Sequence, residues 1–488
     1  MSINDISETT LGALRHAGAY LTDLATPTVR LGVTGFARAG KTIFITALVR
    51  NLVTGGRLPF FGPAAEGRIV RAYLEPQPDD DIPRFAYEEH LARLAATPPE
   101  WPDSTRRISQ LRVTIEYTPT GLIRSYLGIN RLHVDIVDYP GEWLVDLGLM
   151  SRLFEAWSRD ILKSAEAPAR AAHAAPFRTF LDDLPGDATP EQIAMAGAAL
   201  YTAYLASART DPVMAATGDP SLGPGRFLMP GDLEGSPLLT FFPYLPDDAP
   251  SDRQRALAAL LAHRFEAYKA KVVRPFFRDH FARLDRQIVL VDALTAIDAG
   301  GTALADLETT LASVLQVFRP GAASLLSLVM PRRIDRILFA ATKADHLHSA
   351  NHDRLAEILG AVTRRAQDRA ALAGAEVKAM ALAALRATRE AEVTSHGQQL
   401  ACIVGTPLAG EHVGDTRFDG TRSAAIFPGD LPRASDLLGH PDGARTTDLR
   451  IVRFQPPYVP DAASGAGTAW PHIRLDRALD FLIGDRLA

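Results

Sequence analysis

The stretch Gly35-Phe36-Ala37-Arg38-Ala39-Gly40-Lys41-Thr42 constrains this chain more than any other: a glycine, four residues, then Gly-Lys-Thr. Before it, Val29, Leu31 and Val33 alternate as a short buried strand does; after it, Ile43, Phe44, Ala47 and Leu48 recur at helical spacing. Strand, glycine-rich turn and helix are the setting a phosphate loop demands. Such a turn aims backbone N–H groups inward, and the helix N-terminus adds the positive end of its dipole. Gly35, Arg38, Ala39, Gly40, Lys41, Thr42 and Ile43 are therefore the expected phosphate-binding positions. Lys41 is placed to reach the β- and γ-phosphates and the Thr42 hydroxyl to ligate Mg²⁺.

Two further motifs follow in order. Leu132, Val134 and Ile136 form an apolar strand that runs into Asp138-Tyr139-Pro140-Gly141-Glu142. A strand ending in aspartate downstream of a phosphate loop suits the metal side of the site: Asp138 would hold Mg²⁺ through water and the Gly141 N–H would meet the γ-phosphate. Ile334, Ile337, Leu338 and Phe339 then lead into Thr342-Lys343-Ala344-Asp345, which fits the [N/T]-K-x-D pattern of guanine nucleotide proteins. A carboxylate at Asp345 can accept from both N1–H and the exocyclic amine of guanine, a donor pair that adenine lacks. The Lys343 stem would cover the base plane, and Ala383-Ala384-Leu385 would bring backbone to it. Thr105, just before the strand of Leu111, Val113, Ile115 and Tyr117, is the candidate switch-I metal ligand. Arg106 and Arg107 are candidate charge stabilisers.

Strands alternating with helices predict a right-handed parallel sheet with its ligand at the strand C-termini. With 488 residues, more than one structural unit is expected. The reading is an α/β P-loop domain over 28–149 and 286–395. It is preceded by an amphipathic helix in 1–27 (Leu11, Leu14, Leu21), interrupted by a helical insertion at 150–285 and followed by an α+β extension at 396–488. In the insertion, Thr189-Pro190-Glu191-Gln192 is a helix start with a capping box, and Ile193, Ala196, Leu200 and Tyr204 mark one face. A second helix is expected from Ser251, and Gly218 to Pro250 reads as a loop. Phe60 and Phe61 are expected to be tucked into a junction. Leu400 to Val404 and Leu449 to Phe454 look like strands, and a last helix runs through Leu475 to Leu482. His346 and His348 are expected to be solvated.

The net charge of −5 offers no global attraction to nucleic acid or anionic lipid, and Cys402, the only cysteine, leaves neither a disulfide framework nor a cysteine cluster for zinc. Neither a secretory signal nor an apolar run of membrane-spanning length is visible, so a cytoplasmic protein without a direct membrane span is expected.

With these residues assembled, the chain resembles Ras/Gα-type GTPases in motif order and, more closely, the YcjX-like family of bacterial P-loop nucleotide hydrolases. The resemblance rests on VTGFARAGKTIFITAL, VDIVDYPGEWL, RQIVLVDAL, ATKADHL and IVGTPLAGE and covers nearly the full length. It implies GTP/GDP binding, Mg²⁺-dependent hydrolysis, a helical insertion, a link to stress responses and an inner-membrane protein partner to which the protein is peripheral. Two departures stand out. The interval from the phosphate loop to Asp138 is longer than in a minimal Ras domain. Glu142 also stands where Ras-type enzymes carry the glutamine that orients water. A glutamate there could orient water or act as a base, but its charge beside the γ-phosphate is unfavourable. Alongside a GTPase, an ATPase or kinase on the same fold and a nucleotide-gated, non-catalytic scaffold stay open. Base competition separates the first two, and single-turnover hydrolysis decides the third.

Overall fold

The computed structural model describes residues 26–36, 38–103, 107–120, 129–211, 214, 223–315, 334–372, 374–395, 397–438, 449–459 and 469–488. The apolar alternations in the sequence build one seven-stranded sheet. Its strands are β1 (Thr28–Gly35), β2 (Ile69–Glu75), β3 (Ser109–Tyr117), β4 (Asn130–Asp138), β5 (Arg286–Val291), β6 (Arg336–Ala341) and β7 (Glu376–Ala381), in spatial order β2-β3-β4-β1-β5-β6-β7. From β4 to β7 the neighbours are parallel; β2–β3 and β3–β4 are antiparallel. The long interval after the phosphate loop is thus used partly for β2, an edge strand that the sequence reading does not contain.

The helices are, in order, α1 (Lys41–Val53), α2 (Tyr87–Leu94), α3 (Glu142–Leu147), α4 (Phe154–Ala165), α5 (Pro168–Asp182), α6 (Pro190–Ala208), α7 (Asp252–Tyr268), α8 (Arg274–Asp279), α9 (Ala293–Ala299), α10 (Gly301–Leu315), α11 (His352–Val362), α12 (Arg364–Leu372) and α13 (Leu475–Ile483). Strand alternation sorts the core into two layers. Val33, Ile288, Leu290 and Leu338 face α1 and α13, burying Phe44, Leu48, Leu479 and Leu482. Val289, Val291, Phe339 and Ala341 face the other way, onto α9 to α12. On β3 and β4 the polar alternates are satisfied in pairs: Arg112 Nε lies 2.7 Å from Asp135 and the Thr114 hydroxyl 2.8 Å from His133.

Helices α4 to α8 form the insertion between the end of α3 and β5. Both capping boxes are present: Thr189 with Gln192, and Ser251 with Gln254. The apolar face of α6 differs from the expected one. Ile193, Ala194, Ala198, Tyr201 and Tyr204 are buried, whereas Ala196 is exposed and Leu200 half-buried. In a helix this rich in alanine, placement of the bulky aromatics decides the face. The segment read as a loop contributes Phe241 and Phe242, both fully buried, and Phe241 meets Trp157 at 5.7 Å between ring centroids. This aromatic centre is continuous with the α9–α12 face of the sheet, so insertion and sheet share one apolar core.

Beyond β7, β8 (Arg389–Ser395) and β9 (Gln398–Gly405) form an antiparallel hairpin, so the boundary expected at 395 falls inside it. Next come β10 (His412–Val413) paired with β11 (Thr416–Arg417), and β12 (Ala424–Ile426) on β9. Leu449 to Phe454 is not a strand; it lies against the hairpin region through a bridge from Phe454 to Pro407 and a hydrogen bond from the Leu408 N–H to the Arg453 carbonyl. Phe61 is buried as expected, while Phe60 is exposed under the Arg477 guanidinium at 4.3 Å. The architecture is α/β: a P-loop nucleoside triphosphatase sheet with a mainly helical insertion and an α+β C-terminal extension. The N-terminal helix expected in residues 1–25 lies outside the described residues.

Candidate functional site

The turn after β1 is built for close approach. Arg38 and Gly40 adopt left-handed φ of 62° and 83°, which turns successive N–H groups toward one concavity. A Cβ on Gly40 would meet nothing; glycine suits this position because of its φ. Gly141 is glycine for a different reason: a Cβ there would lie 2.1 Å from the Gly35 carbonyl oxygen. The same carbonyl accepts a hydrogen bond from Lys41 Nζ at 3.0 Å, so Gly35, Lys41 and Gly141 converge. Thr42 donates to the Asp103 carbonyl at 3.3 Å. Asp138 is buried at the end of β4, level with Val33 of β1.

A cavity of about 480 Å³ opens beside this turn. Arg38 to Phe44 line it together with Thr342, Lys343, Asp345 and Leu382 to Leu385. Gly35, Asp138 and Gly141 sit behind the wall rather than on it. The parallel pairing of β5, β6 and β7 brings Thr342 and Leu382 together: Thr342 N–H bonds to Val291 O, and Ala344 N–H to Leu382 O. Lys343 takes a left-handed φ of 59° and its ammonium pairs with Asp292. Burial pushes the Asp292 carboxyl up, but Lys343 outweighs it and holds the group below the usual carboxylate range. The Ala387 N–H donates to Asp345 Oδ2 at 2.8 Å, fixing the plane of that carboxylate.

The C-terminal extension also contributes to the cavity. Leu408, Arg453 and Phe454 line the cavity, and Trp101 Nε1 donates to the Phe454 carbonyl at 2.7 Å. Here two histidine expectations fail. His346 is buried edge-on to Phe454 at 5.3 Å, and burial lowers its pKa. His348 is not solvated either: its side chain is mostly covered, with Nε2 3.6 Å from Glu390. Thr105 and Arg106 lie outside the described residues; Arg107 is exposed.

Glu142 shows what the sequence reading missed. It is buried at the start of α3, lines the cavity and is ion-paired with Arg209, the residue that caps α6. Burial pushes the Glu142 carboxyl up, but Lys41 and Arg209 together bring it below its ordinary value. At an effective dielectric of about 20, like unit charges about 4 Å apart repel by about 4 kcal/mol. Arg209 offsets the charge that Glu142 would otherwise present to the cavity. No local pattern marks Arg209; only packing of the insertion brings it here.

The same helix is tied to the insertion at Asp146, whose carboxylate accepts from Gly225 N–H at 2.7 Å and Tyr268 OH at 2.6 Å. Burial is the main cause that pushes Asp146 up to about 6. The folded state therefore binds this proton more tightly than the unfolded chain does. Its stabilising effect is full below about pH 4 and is lost as pH rises through about 6. Asp146→Asn should flatten that dependence: the melting temperature of the variant should gain on the wild type between pH 4 and 7. A difference that does not change with pH would refute the assignment.

Among the described residues, no cluster of three or more His, Cys, Asp or Glu forms a ready metal cage, and no helix is long and apolar enough to cross a membrane. Comparison with known proteins adds the wider setting. The model of the YcjX-like family, DUF463, matches residues 29–487. An Escherichia coli (strain K12) protein named Ras-like GTPase YcjX is 34% identical over 472 residues, covering 94% of this chain and 96% of its own. A protein of the same name from Shewanella oneidensis is 33% identical over 478 residues, covering 94% of each.

Proposed function

From the premise that this chain belongs to the YcjX-like family, we propose that it binds GTP and hydrolyses it to GDP and phosphate with Mg²⁺. The observation that carries the reading is convergence. Residues near 40, suited to phosphate, and residues near 343 and 384, suited to guanine, line one cavity. The names of the two relatives support the same reading.

The residues fit the groups they would hold. The left-handed turn at Arg38 and Gly40 leaves backbone accessible to phosphate, and the absence of a Cβ at Gly141 lets that chain pack against the Gly35 carbonyl beside it. Lys41, now on the Gly35 carbonyl, would turn its donors to the β- and γ-phosphates. Thr42 and Asp138 would hold Mg²⁺, a hydroxyl and a carboxylate being the hard oxygen donors that ion takes. When bound, the ion neutralises charge on the phosphate oxygens. Glu142 would orient the attacking water, and Gly141 N–H would meet the γ-phosphate. Asp345 would read the base edge while Lys343, Ala384 and Leu385 enclose it. Thr105 and Arg106 remain the proposed switch-I contributors.

The four-part division, with 150–285 as a helical insertion, belongs to the same proposal. So do the stress-related switch role, the cytoplasmic location and the inner-membrane protein partner that the family resemblance implies. A non-catalytic scaffold is the second reading, and the pairing of Glu142 with Arg209 favours it, because this carboxylate is engaged away from water. Single-turnover hydrolysis decides between them. Stoichiometric phosphate from GTP with excess enzyme and Mg²⁺ supports the hydrolase. Bound GTP that stays intact for hours supports the scaffold.

A further inference from the structure

The Arg209–Glu142 pair lies where the insertion meets the nucleotide cavity. Arg209 caps α6, and Tyr204, Leu205 and Ala208, the buried residues before it, anchor that helix end in the shared core. Its side chain is only 17% exposed, and it lines the same cavity as Lys41 and Thr42. The neighbouring chain is tightly seated: a Cβ on Gly225 would lie 2.2 Å from the Glu142 carbonyl oxygen. An arginine held this closely, on a carboxylate that already faces a phosphate-binding lysine, has a second use for its donors. A triphosphate brings more negative charge than Glu142 does, in a geometry the guanidinium fork can meet bidentately.

We propose that Arg209 is a charge-stabilising catalytic residue supplied in cis by the helical insertion and held on Glu142 until a γ-phosphate takes that carboxylate's place. The proposal rests on the triphosphatase reading above. In the step it serves, a water oxygen forms a bond to the γ-phosphorus. The bond from that phosphorus to the bridging oxygen breaks, its electron pair stays on the β-phosphate of GDP, and the water proton ends on inorganic phosphate. Negative charge spreads over the transferring oxygens on the way, which is where an arginine acts. Transfer of Arg209 to phosphate also releases Glu142 to orient the water. One side-chain exchange thus makes insertion position a condition of turnover.

A merely structural Arg209 would act only by neutralising Glu142, and the test separates the two roles. Single-turnover GTP hydrolysis and retention of GDP with aluminium fluoride, which needs no turnover, are measured for wild type, Arg209→Lys, Glu142→Gln and Glu142→Gln/Arg209→Ala. GDP affinity without fluoride is measured alongside. Hydrolysis is expected to fall at least about a hundredfold in Arg209→Lys, and by a similar factor in the double variant relative to Glu142→Gln. Both are expected to lose fluoride-dependent retention while GDP affinity stays within about threefold, less than the decade that about 1.4 kcal/mol represents. If the double variant matches Glu142→Gln in rate and retention, Arg209 only neutralises Glu142 and the proposal is overturned while the GTPase reading stands. If the wild type binds GDP but neither hydrolyses GTP nor retains GDP with fluoride, both fall together.

Discussion

Lys41→Ala is expected to lose GTP affinity by a factor of about a hundred or more while its melting temperature moves by only a few degrees. Charge-assisted hydrogen bonds are worth about 1.5–3 kcal/mol each. Contacts to two phosphates therefore amount to about 3–6 kcal/mol, or two to four decades at about 1.4 kcal/mol per decade. In the structure the Lys41 ammonium donates to the Gly35 carbonyl, and its side chain lines the cavity. Its removal also takes away one of the two cations that hold Glu142 ionised, so phosphate would meet a less compensated carboxylate. Titration with a slowly hydrolysed GTP analogue, with thermal unfolding in parallel, checks both halves. Affinity equal to wild type with unchanged melting would contradict the phosphate-loop assignment.

Asp345→Asn should change which base the cavity takes. The Asp345 carboxylate is fixed by Ala387 N–H and lines the cavity. An asparagine there turns an amide donor against the guanine donors, and each lost charge-assisted bond costs about 1.5–3 kcal/mol. GTP affinity should fall by about tenfold or more per bond. Xanthine carries a carbonyl where guanine carries its amine, so xanthosine triphosphate should gain at the variant. ATP should bind about equally to both proteins. Affinities for the three nucleotides, wild type against variant, give the answer; an unchanged preference for guanine would remove Asp345 from the base site.

The parts of the fold legible in the sequence are those where local pattern and tertiary role agree. Val29, Leu31 and Val33 alternate because they share the face of β1 that packs in the layer of α1 and α13, while Arg30, Gly32 and Thr34 take the other face. Thr189 with Gln192 and Ser251 with Gln254 bond within a few residues of themselves, so their caps need no distant partner. Strand β2 escaped because it is an edge strand: Val70 and Arg71 are both exposed, and a bulge between Ile69 and Arg71 breaks the period. Leu449 to Phe454 has strand-like composition, but its backbone bonds go to separate segments, from Arg450 N–H to Pro428 and from Leu408 N–H to Arg453, so it forms a bridge rather than a ladder.

The site divides the same way. Lys41, Asp138, Glu142 and Asp345 each close or follow an apolar strand or open a helix, which places them at one end of the sheet. Arg209, Phe454 and Trp101 arrive by long-range packing and carry no motif. His346 looked solvated because the residue that buries it, Phe454, lies more than a hundred positions further along the chain.

Competition of GTP and ATP for one fluorescent GDP analogue on the purified full chain with Mg²⁺ tests the central claim most directly. The account predicts that GTP displaces the analogue at concentrations at least about a hundredfold lower than ATP, since a site built around a base-specific hydrogen-bond pair rejects the wrong base strongly. Displacement by ATP at equal or lower concentration would contradict it and move the cavity to adenine chemistry.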